Sequence, residues 1–309
     1  MTTFRGQLHI LGAGSIGRLW AASIRTADPS YPVTLLLRNQ YRRKIEDPLK
    51  ISWQRPFESK PMNVSLPIKF LDDKQIITTL VVSTKAHHAK AAVESVLDKL
   101  DQDGSSKIII LCNGALSVRD DLSKIATTSP LVLATTTHGC YQEKDKEVLV
   151  HAGAGKTYLE EWDEMAELWD SVGLNCKSIA SPEMNQLLWK KLAANCVINP
   201  LTALFRCTNG ELLTEPSFPE LQQEILKELS WVARCNNQDV CEESLRTFVT
   251  QVIQDTRNNK SSMLQDVLKK QQTEVDHLNG YVVRKGREYG IECPTNDDVC
   301  RRIQALLKT

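Results

Sequence analysis

Ten residues near the start, "LHILGAGSIG", restrict the fold more than any other stretch of this chain. An apolar run from Leu8 to Leu11 ends in glycines at 12, 14 and 17, and a helical pattern, "SIGRLWAASI", follows at once. A strand that turns into a helix through G-x-G-x-x-G is the fingerprint of a dinucleotide-binding βαβ unit. The three glycines have separate duties. Gly12 permits the tight turn, Gly14 lets the backbone approach a pyrophosphate, and Gly17 lets helix and strand pack closely. The free N–H groups at the helix start then face the phosphates. Gly12, Ala13, Gly14, Ser15, Ile16 and Gly17 are therefore expected to bind cofactor. The alternative is a strand–helix turn that uses glycine for its shape alone.

The second expected strand, "VTLLLR", ends at Arg38. An NAD site wants a carboxylate there, about 20 residues past the glycines, to hold the ribose 2′-hydroxyl. A cation in its place suits a 2′-phosphate, so the expected cofactor is NADP(H). Arg42, Arg43 and Lys44 follow closely and read better as the solvated start of a helix. Two further strand ends carry polar residues where ligands gather in open α/β sheets. Lys85, in "VVSTKAHH", faces cofactor phosphate, substrate carboxylate or only its own loop. Asn113, in "IIILCNGALS", positions nicotinamide or substrate, or bonds its own backbone. "HAGAGKT" imitates a phosphate-binding P-loop, but the glycine required five positions before Gly155 is Val150, which excludes it.

Short apolar runs alternate with helical patterns through the first ~180 residues: "QLHILG", "VTLLLR", "TLVVST", "KIIILC", "LVLATT", "VLVHAG" and "LNCKSI". Continuous apolar strands suit a sheet covered on both faces. From Pro182 onward only helical patterns remain, and Ser181-Pro182 reads as an N-cap with proline in the first turn. A length of 309 residues exceeds what one core usually serves. The expectation is an α/β dinucleotide-binding domain of Rossmann type over 1–180 and an all-α domain over 181–309. Lys+Arg and Asp+Glu both total 38, so no global charge calls for nucleic acid or an anionic membrane. No apolar run approaches the ~20 residues of a membrane span. The first strand begins too early to leave room for a leader peptide. Nine dispersed cysteines without a Cys-x-x-Cys pair suit small buried thiols in a reducing cytoplasm, not a disulfide framework or a zinc site. His87, His88 and His277 have no partner at metal-ligand spacing and read as surface histidines.

The helical half opens on "KKLAANCVINPLTALFRCTNG", Lys190 to Gly210. Lys191, Asn195 and Asn199 recur every four residues and so share one face. Around them the helix is apolar on nearly all sides, which is the mark of a buried helix. Burying an unpartnered amide costs roughly 1–3 kcal/mol, and a lone ammonium costs more. The row therefore lies in the core with its amides bonded internally and its lysine snorkelling, or it lines a wet pocket. This stretch alone leaves both open.

Read together, "LGAGSIGRLW", Arg38, "STKAHHA", "CNGALS", "TTTHGCY", "KKLAANCVINPLTALFRCTNGEL" and "SSMLQDVLKKQQTEVDHLNGYVV" resemble the ketopantoate reductase family, in the family's order and over nearly the whole chain. The resemblance implies a Rossmann domain followed by an all-α domain like the C-terminal domain of 6-phosphogluconate dehydrogenase. It implies reduction of 2-dehydropantoate to (R)-pantoate by NADPH, on the way to pantothenate and coenzyme A. Lys191 matches the family's general-acid lysine and Glu274 its active-site glutamate. Asn195, Asn199 and Asn209 match its substrate-binding asparagines, and Ser262 the serine that contacts the substrate carboxylate. Asn113 matches the asparagine between nicotinamide and substrate, Lys85 a lysine near the cofactor, and Cys140 a backbone contact near the nicotinamide. The segment from Arg55 to Pro67 departs from the family in length and sequence. On this reading the polar row is one wall of a substrate pocket. Partners are a small-molecule substrate, no nucleic acid and no membrane, with a homodimer as the candidate assembly. The rivals are a reductase of another branched 2-oxo acid, an NADPH-binding regulator without chemistry, and a redox-sensing thiol protein built on Cys196 and Cys207.

Overall fold

Strands rich in Leu, Ile and Val are stable where both faces of their sheet are covered, and the first half of the chain builds such a sheet. A computed structural model describes residues 6–56, 58–101, 103–143 and 148–308. In chain order the strands are β1 (Leu8–Leu11), β2 (Val33–Leu37), β3 (Leu49–Gln54), β4 (Met62–Leu66), β5 (Ile68–Phe70) and β6 (Thr79–Val82). Next come β7 (Lys107–Ile110), β8 (Leu131–Thr136), β9 (Gly139–Glu143), β10 (Val148–Gly153), β11 (Thr157–Glu160) and β12 (Cys176–Ile179). Eight of them form one sheet in the order β12-β11-β8-β7-β6-β1-β2-β5. From β5 to β8 every neighbour is parallel. β11 then runs antiparallel to β8, and β12 parallel to β11. The six parallel strands have the 3-2-1-4-5-6 order of the Rossmann fold. Their order reverses between β1 and β6, where such a sheet has its ligand crevice.

The other four strands form a separate sheet, β4-β3-β10-β9, which the sequence reading did not anticipate. "VLVHAG" belongs here and not to the main sheet. Along β3, Ile51 and Trp53 are buried while Lys50 is exposed, the alternation of a sheet with one covered face. That face packs with helix α1 (Ser15–Ala27), and Trp53, Leu66 and Leu149 share a core with Leu19 and Trp20. Trp53 Nε1 donates to Thr26 Oγ1 at 3.2 Å, and Trp169 meets Trp20 edge-on with ring centroids 5.6 Å apart. The second sheet explains why every residue from Leu19 to Ile24 is buried, although a surface helix would expose one stripe. Three shorter helices accompany the sheet: α2 (Ala86–Glu94), α3 (Ala115–Leu122) and α4 (Asp163–Trp169).

The chain divides into two compact units, Met1–Met184 and Asn185–Thr309. The second is helical: α5 (Ser181–Phe205, which begins just ahead of the division), α6 (Phe218–Cys235), α7 (Glu242–Asp255), α8 (Ser262–Leu268), α9 (Asn279–Glu288) and α10 (Pro294–Leu306). The pattern from Ser262 to Gly286 reads as one helix in sequence but is broken in the fold. α8 stops at a Schellman closure, with Lys270 at φ 52°, Gln271 N–H on the Asp266 carbonyl at 2.8 Å and Lys270 N–H on Val267 at 3.0 Å. The polar run Lys269–Gln272 is exposed and has no apolar face to bury, so nothing rewards continuing the helix. Among the described residues no helix is long and apolar enough to cross a membrane.

Candidate active site

The loops at the carboxyl ends of the parallel strands bring the first group of residues to one edge. Gly12 ends β1 with φ 112°, and a Cβ there would lie 2.8 Å from the Thr84 amide nitrogen in the loop after β6. Gly17 has no room either, since its Cβ would meet the Gly12 carbonyl at 2.0 Å. Ser83 Oγ closes the same knot by donating to Gly12 O at 2.9 Å. Gly14 differs. A Cβ on it would meet nothing within 4 Å. It caps α1 with no side-chain hydrogen bond, and the first turn of α1 holds no acid. The start of α1 thus combines open space at Gly14 with the positive end of a helix dipole and no acid to oppose an anion.

These contacts separate the glycines experimentally. Gly12→Ala is expected to unfold the first unit or strip several degrees from its thermal midpoint, because the clash is with backbone. Gly14→Ala is expected to leave the midpoint unchanged while weakening nucleotide binding about tenfold or more, read by fluorescence titration. A Gly14→Ala protein that binds nucleotide normally would remove Gly14 from the site.

Arg38 is exposed at the end of β2, its Nη2 3.5 Å from the Tyr41 hydroxyl and its guanidinium 5.7 Å from that ring. Among the described residues it has no carboxylate partner. Arg42 is committed elsewhere: it is paired with Asp72 and with Asp73 (2.7 Å), and it lies 4.3 Å over the Phe70 ring. Lys85 is exposed at the N-cap of α2, directly after β6. Asn113 is half-buried in the turn after β7, followed by left-handed Gly114 at the start of α3. Cys140, on β9, donates its thiol to the Ser15 carbonyl at 3.5 Å and so touches the glycine loop. Burial pushes that thiol up to about 12, so it keeps its proton.

The second group gathers on α5 and on the segments fastened to it. Lys191 and Asn195 are half-buried and Asn199 is buried, in a helix whose Leu192, Ala193, Cys196 and Val197 are all buried. Among the described residues the carboxamides of Asn195 and Asn199 have no hydrogen-bond partner, which removes the reading in which they bond inside the core. Ser262 is exposed as the first residue of α8. Ser261 holds it there: its hydroxyl caps α8 by accepting Leu264 N–H at 3.0 Å, lies 2.7 Å from Thr202 Oγ1, and donates to the Asn199 carbonyl at 3.4 Å. Asn209 is buried, with its N–H on Asn259 O and its Nδ2 on Thr256 Oγ1, each at 2.9 Å. Its Oδ1 is buried and accepts nothing among the described residues, an orphan acceptor of the kind a ligand donor satisfies. Glu274 is buried, and its backbone carbonyl accepts His277 N–H at 2.9 Å in the short turn before α9.

One constellation had no signal in the sequence. His138 and His151 are buried, with Nδ1 and Nε2 2.7 Å apart. His138 Nε2 meets the Leu174 carbonyl at 2.9 Å and so carries the proton. Its Nδ1 must then accept, from Gly155 N–H at 3.0 Å and from His151. Both rings are neutral in this arrangement. The "GKT" turn set aside as a P-loop imitation has a structural duty: Gly155 N–H bonds His138 Nδ1, and a Cβ on Gly155 would lie 2.3 Å from the His138 backbone nitrogen. Thirteen residues separate the two histidines, and no local spacing reports a pair built between the turn after β8 and strand β10. The cysteines named as redox candidates are poor ones. Burial raises Cys207 to about 11 and Cys196 well above the ordinary thiol value.

A six-strand Rossmann order with an open glycine turn, and a separate helical unit carrying a lysine–carboxamide row, fit the class of α/β oxidoreductases. The family models for ketopantoate reductase PanE/ApbA match residues 8–164, and those for its C-terminal part match residues 183–307. The 2-dehydropantoate 2-reductase of Vibrio cholerae is 33% identical over 96% of both chains. The chain belongs to the ketopantoate reductase family. The fold is shared with a PanE/ApbA family ketopantoate reductase from Ralstonia eutropha (TM-score 0.86, 20% identity, 98% of this chain and 99% of that one). It is also shared with D-mandelate dehydrogenase, solved with NADH and anilino(oxo)acetate (TM-score 0.84, 18% identity, 98% of each chain).

Proposed function

We propose that this chain reduces 2-dehydropantoate to (R)-pantoate with NADPH, the nucleotide held by residues of 1–180 and the 2-oxo acid by residues of 181–309. The row Lys191–Asn195–Asn199, a cation and two carboxamides on one face of an otherwise buried helix, carries this reading. Bound cofactor supplies the hydride. The open space at Gly14 ahead of α1 fits a pyrophosphate, and the exposed Arg38, without a carboxylate partner among the described residues, fits a 2′-phosphate better than a ribose hydroxyl. Lys85, Asn113 and Cys140 complete the cofactor side, Asn113 reaching substrate as well. Lys191 Nζ donates a proton to the ketone oxygen as charge develops on it. Glu274 offsets the ammonium or accepts a substrate hydroxyl. Asn195, Asn199 and Asn209 donate and accept, so together they fix carboxylate and hydroxyl positions, with Ser262 on the carboxylate. Membership of the family and the Vibrio relative's activity support the choice of substrate. Lys191 and Glu274 would serve any 2-oxo acid, so the test is comparative: kcat/KM for 2-dehydropantoate should exceed that for 2-oxoisovalerate.

Two substitutions divide the reading. Arg38→Ala should weaken NADPH by about tenfold or more and NADH by ~twofold at most, since a charge-assisted phosphate contact is lost. Equal losses would remove Arg38 from the 2′-phosphate. Asn199→Ala should raise KM for the 2-oxo acid with kcat nearly kept, the signature of lost uniform binding. A fall in kcat at constant KM would assign Asn199 to the transition state instead.

A further inference from the structure

Proline inside a helix removes the N–H that would bond the carbonyl four residues back. Pro200 lies within α5, so the Cys196 carbonyl loses its backbone donor. In sequence it falls between Asn195 and Asn199, within the helical turn that joins them. An unpaired buried carbonyl is costly, and the fold supplies a replacement from far along the chain. Asn279, fully buried at the start of α9, donates Nδ2 to Cys196 O at 2.9 Å. The same amide donates to Asn296 Oδ1, also at 2.9 Å. Asn296, fully buried in the first turn of α10, is itself fixed by Glu228 of α6. Its Nδ2 and its backbone N–H both donate to Glu228 Oε2, at 2.7 and 3.0 Å, and Thr295 N–H donates to Oε1 at 2.8 Å. The carboxylate can only accept there, so Asn296 must turn its nitrogen to Glu228 and its oxygen to Asn279. Asn279 must in turn present its amide nitrogen to α5.

We propose that Asn279 is a positioning residue for the Lys191–Asn195–Asn199 row: it supplies the donor that Pro200 withholds and so sets the course of α5 where the row must face the substrate. The relay from Glu228 through Asn296 fixes the orientation of that donor. Asn279 also follows Glu274 by five residues, so one bond registers the Glu274 turn against the row. The proposal rests on the reductase reading for what the row does, and on the contacts alone for how it is held.

The test uses the full-length protein and three variants. Asn279→Ala should lower kcat/KM for 2-dehydropantoate about tenfold or more, as misplaced catalytic groups do, while NADPH affinity stays within ~twofold. Pro200→Ala returns an N–H to the helix and satisfies Cys196 O without Asn279. It should keep or raise the thermal midpoint, yet lose kcat/KM to a similar extent. The double variant should recover the midpoint lost in Asn279→Ala without recovering kcat/KM. A merely structural Asn279 predicts a fully active Pro200→Ala protein, and that result overturns the proposal, as does a folded Asn279→Ala protein with normal kcat/KM. A parent protein that turns over no 2-oxo acid would sink the reductase reading by itself. Hydrogen exchange then decides the positioning claim. Asn279→Ala must speed exchange of the amides in 197–203 about tenfold, with β1 and β2 unchanged; unaltered exchange contradicts it.

Discussion

Lys191→Ala is expected to lower kcat for 2-dehydropantoate by about 10²- to 10⁴-fold, the usual worth of a positioned proton donor, and to leave NADPH affinity nearly intact. The two effects separate because Lys191 stands on α5, whereas the open glycine turn and Arg38 belong to the other unit. Lys191→Arg sharpens the test. A guanidinium keeps the positive charge but does not release its proton in the working pH range. If Lys191 acts only as a fixed charge beside the developing alkoxide, arginine should restore much of the rate. If it transfers a proton, arginine should fail nearly as badly as alanine. Turnover that survives Lys191→Ala would remove the general-acid role altogether.

Acidification is expected to destabilise the first unit steeply between about pH 6.5 and pH 4, through three buried histidines. His9 lies on β1, fully buried, and neither ring nitrogen has a hydrogen-bond partner among the described residues. Burial lowers it from 6.5 to about 4. Burial lowers His138 too; burial and the neighbouring His138 ring lower His151 to about 4. Each of these groups is held neutral in the fold. As pH falls below 6.5 the unfolded chain binds protons that the folded chain refuses, so stability is full above that value and is lost on the way down to about 4. At roughly 1.4 kcal/mol per pH unit of separation, His9 and His151 would each remove on the order of 3 kcal/mol, a large share of a typical total of about 5–15 kcal/mol. The thermal midpoint should fall by many degrees between pH 7 and pH 5, and His9→Leu should flatten the slope by losing that share. A midpoint level across this range would mean that the histidines charge without cost to the fold.

The βαβ start was legible because its signal is local: an apolar run, three glycines and a helix in one short segment. α6 is legible for the same reason, its apolar period spanning Phe218–Cys235 without interruption. The small sheet was not. β3 and β4 carry polar residues at every second position, Lys50 and Ser52 on one and Asn63 and Ser65 on the other, and a short alternating run competes poorly with the loop reading. The break after Leu268 was hidden because Lys270 adopts a left-handed conformation that glycine usually marks. Among the site residues, the row on α5 declared itself by spacing alone. Ser262, Glu274 and Asn209 have no spacing relation to the row and entered through family resemblance. Pro200 did carry a clue: a proline in so apolar a helix leaves a carbonyl that some distant donor must meet. Only the fold identifies that donor as Asn279, 83 residues from Cys196.

The most direct test of the central claim is the loss of NADPH absorbance on mixing purified protein with 2-dehydropantoate, beside 2-oxoisovalerate as alternative substrate and NADH as alternative cofactor. Rapid oxidation with 2-dehydropantoate and NADPH, and slow oxidation in both controls, is the predicted result; it supports the substrate and the role of Arg38 together. Tight NADPH binding with no oxidation by 2-dehydropantoate would contradict it, leaving a nucleotide-binding unit whose partner acid is another.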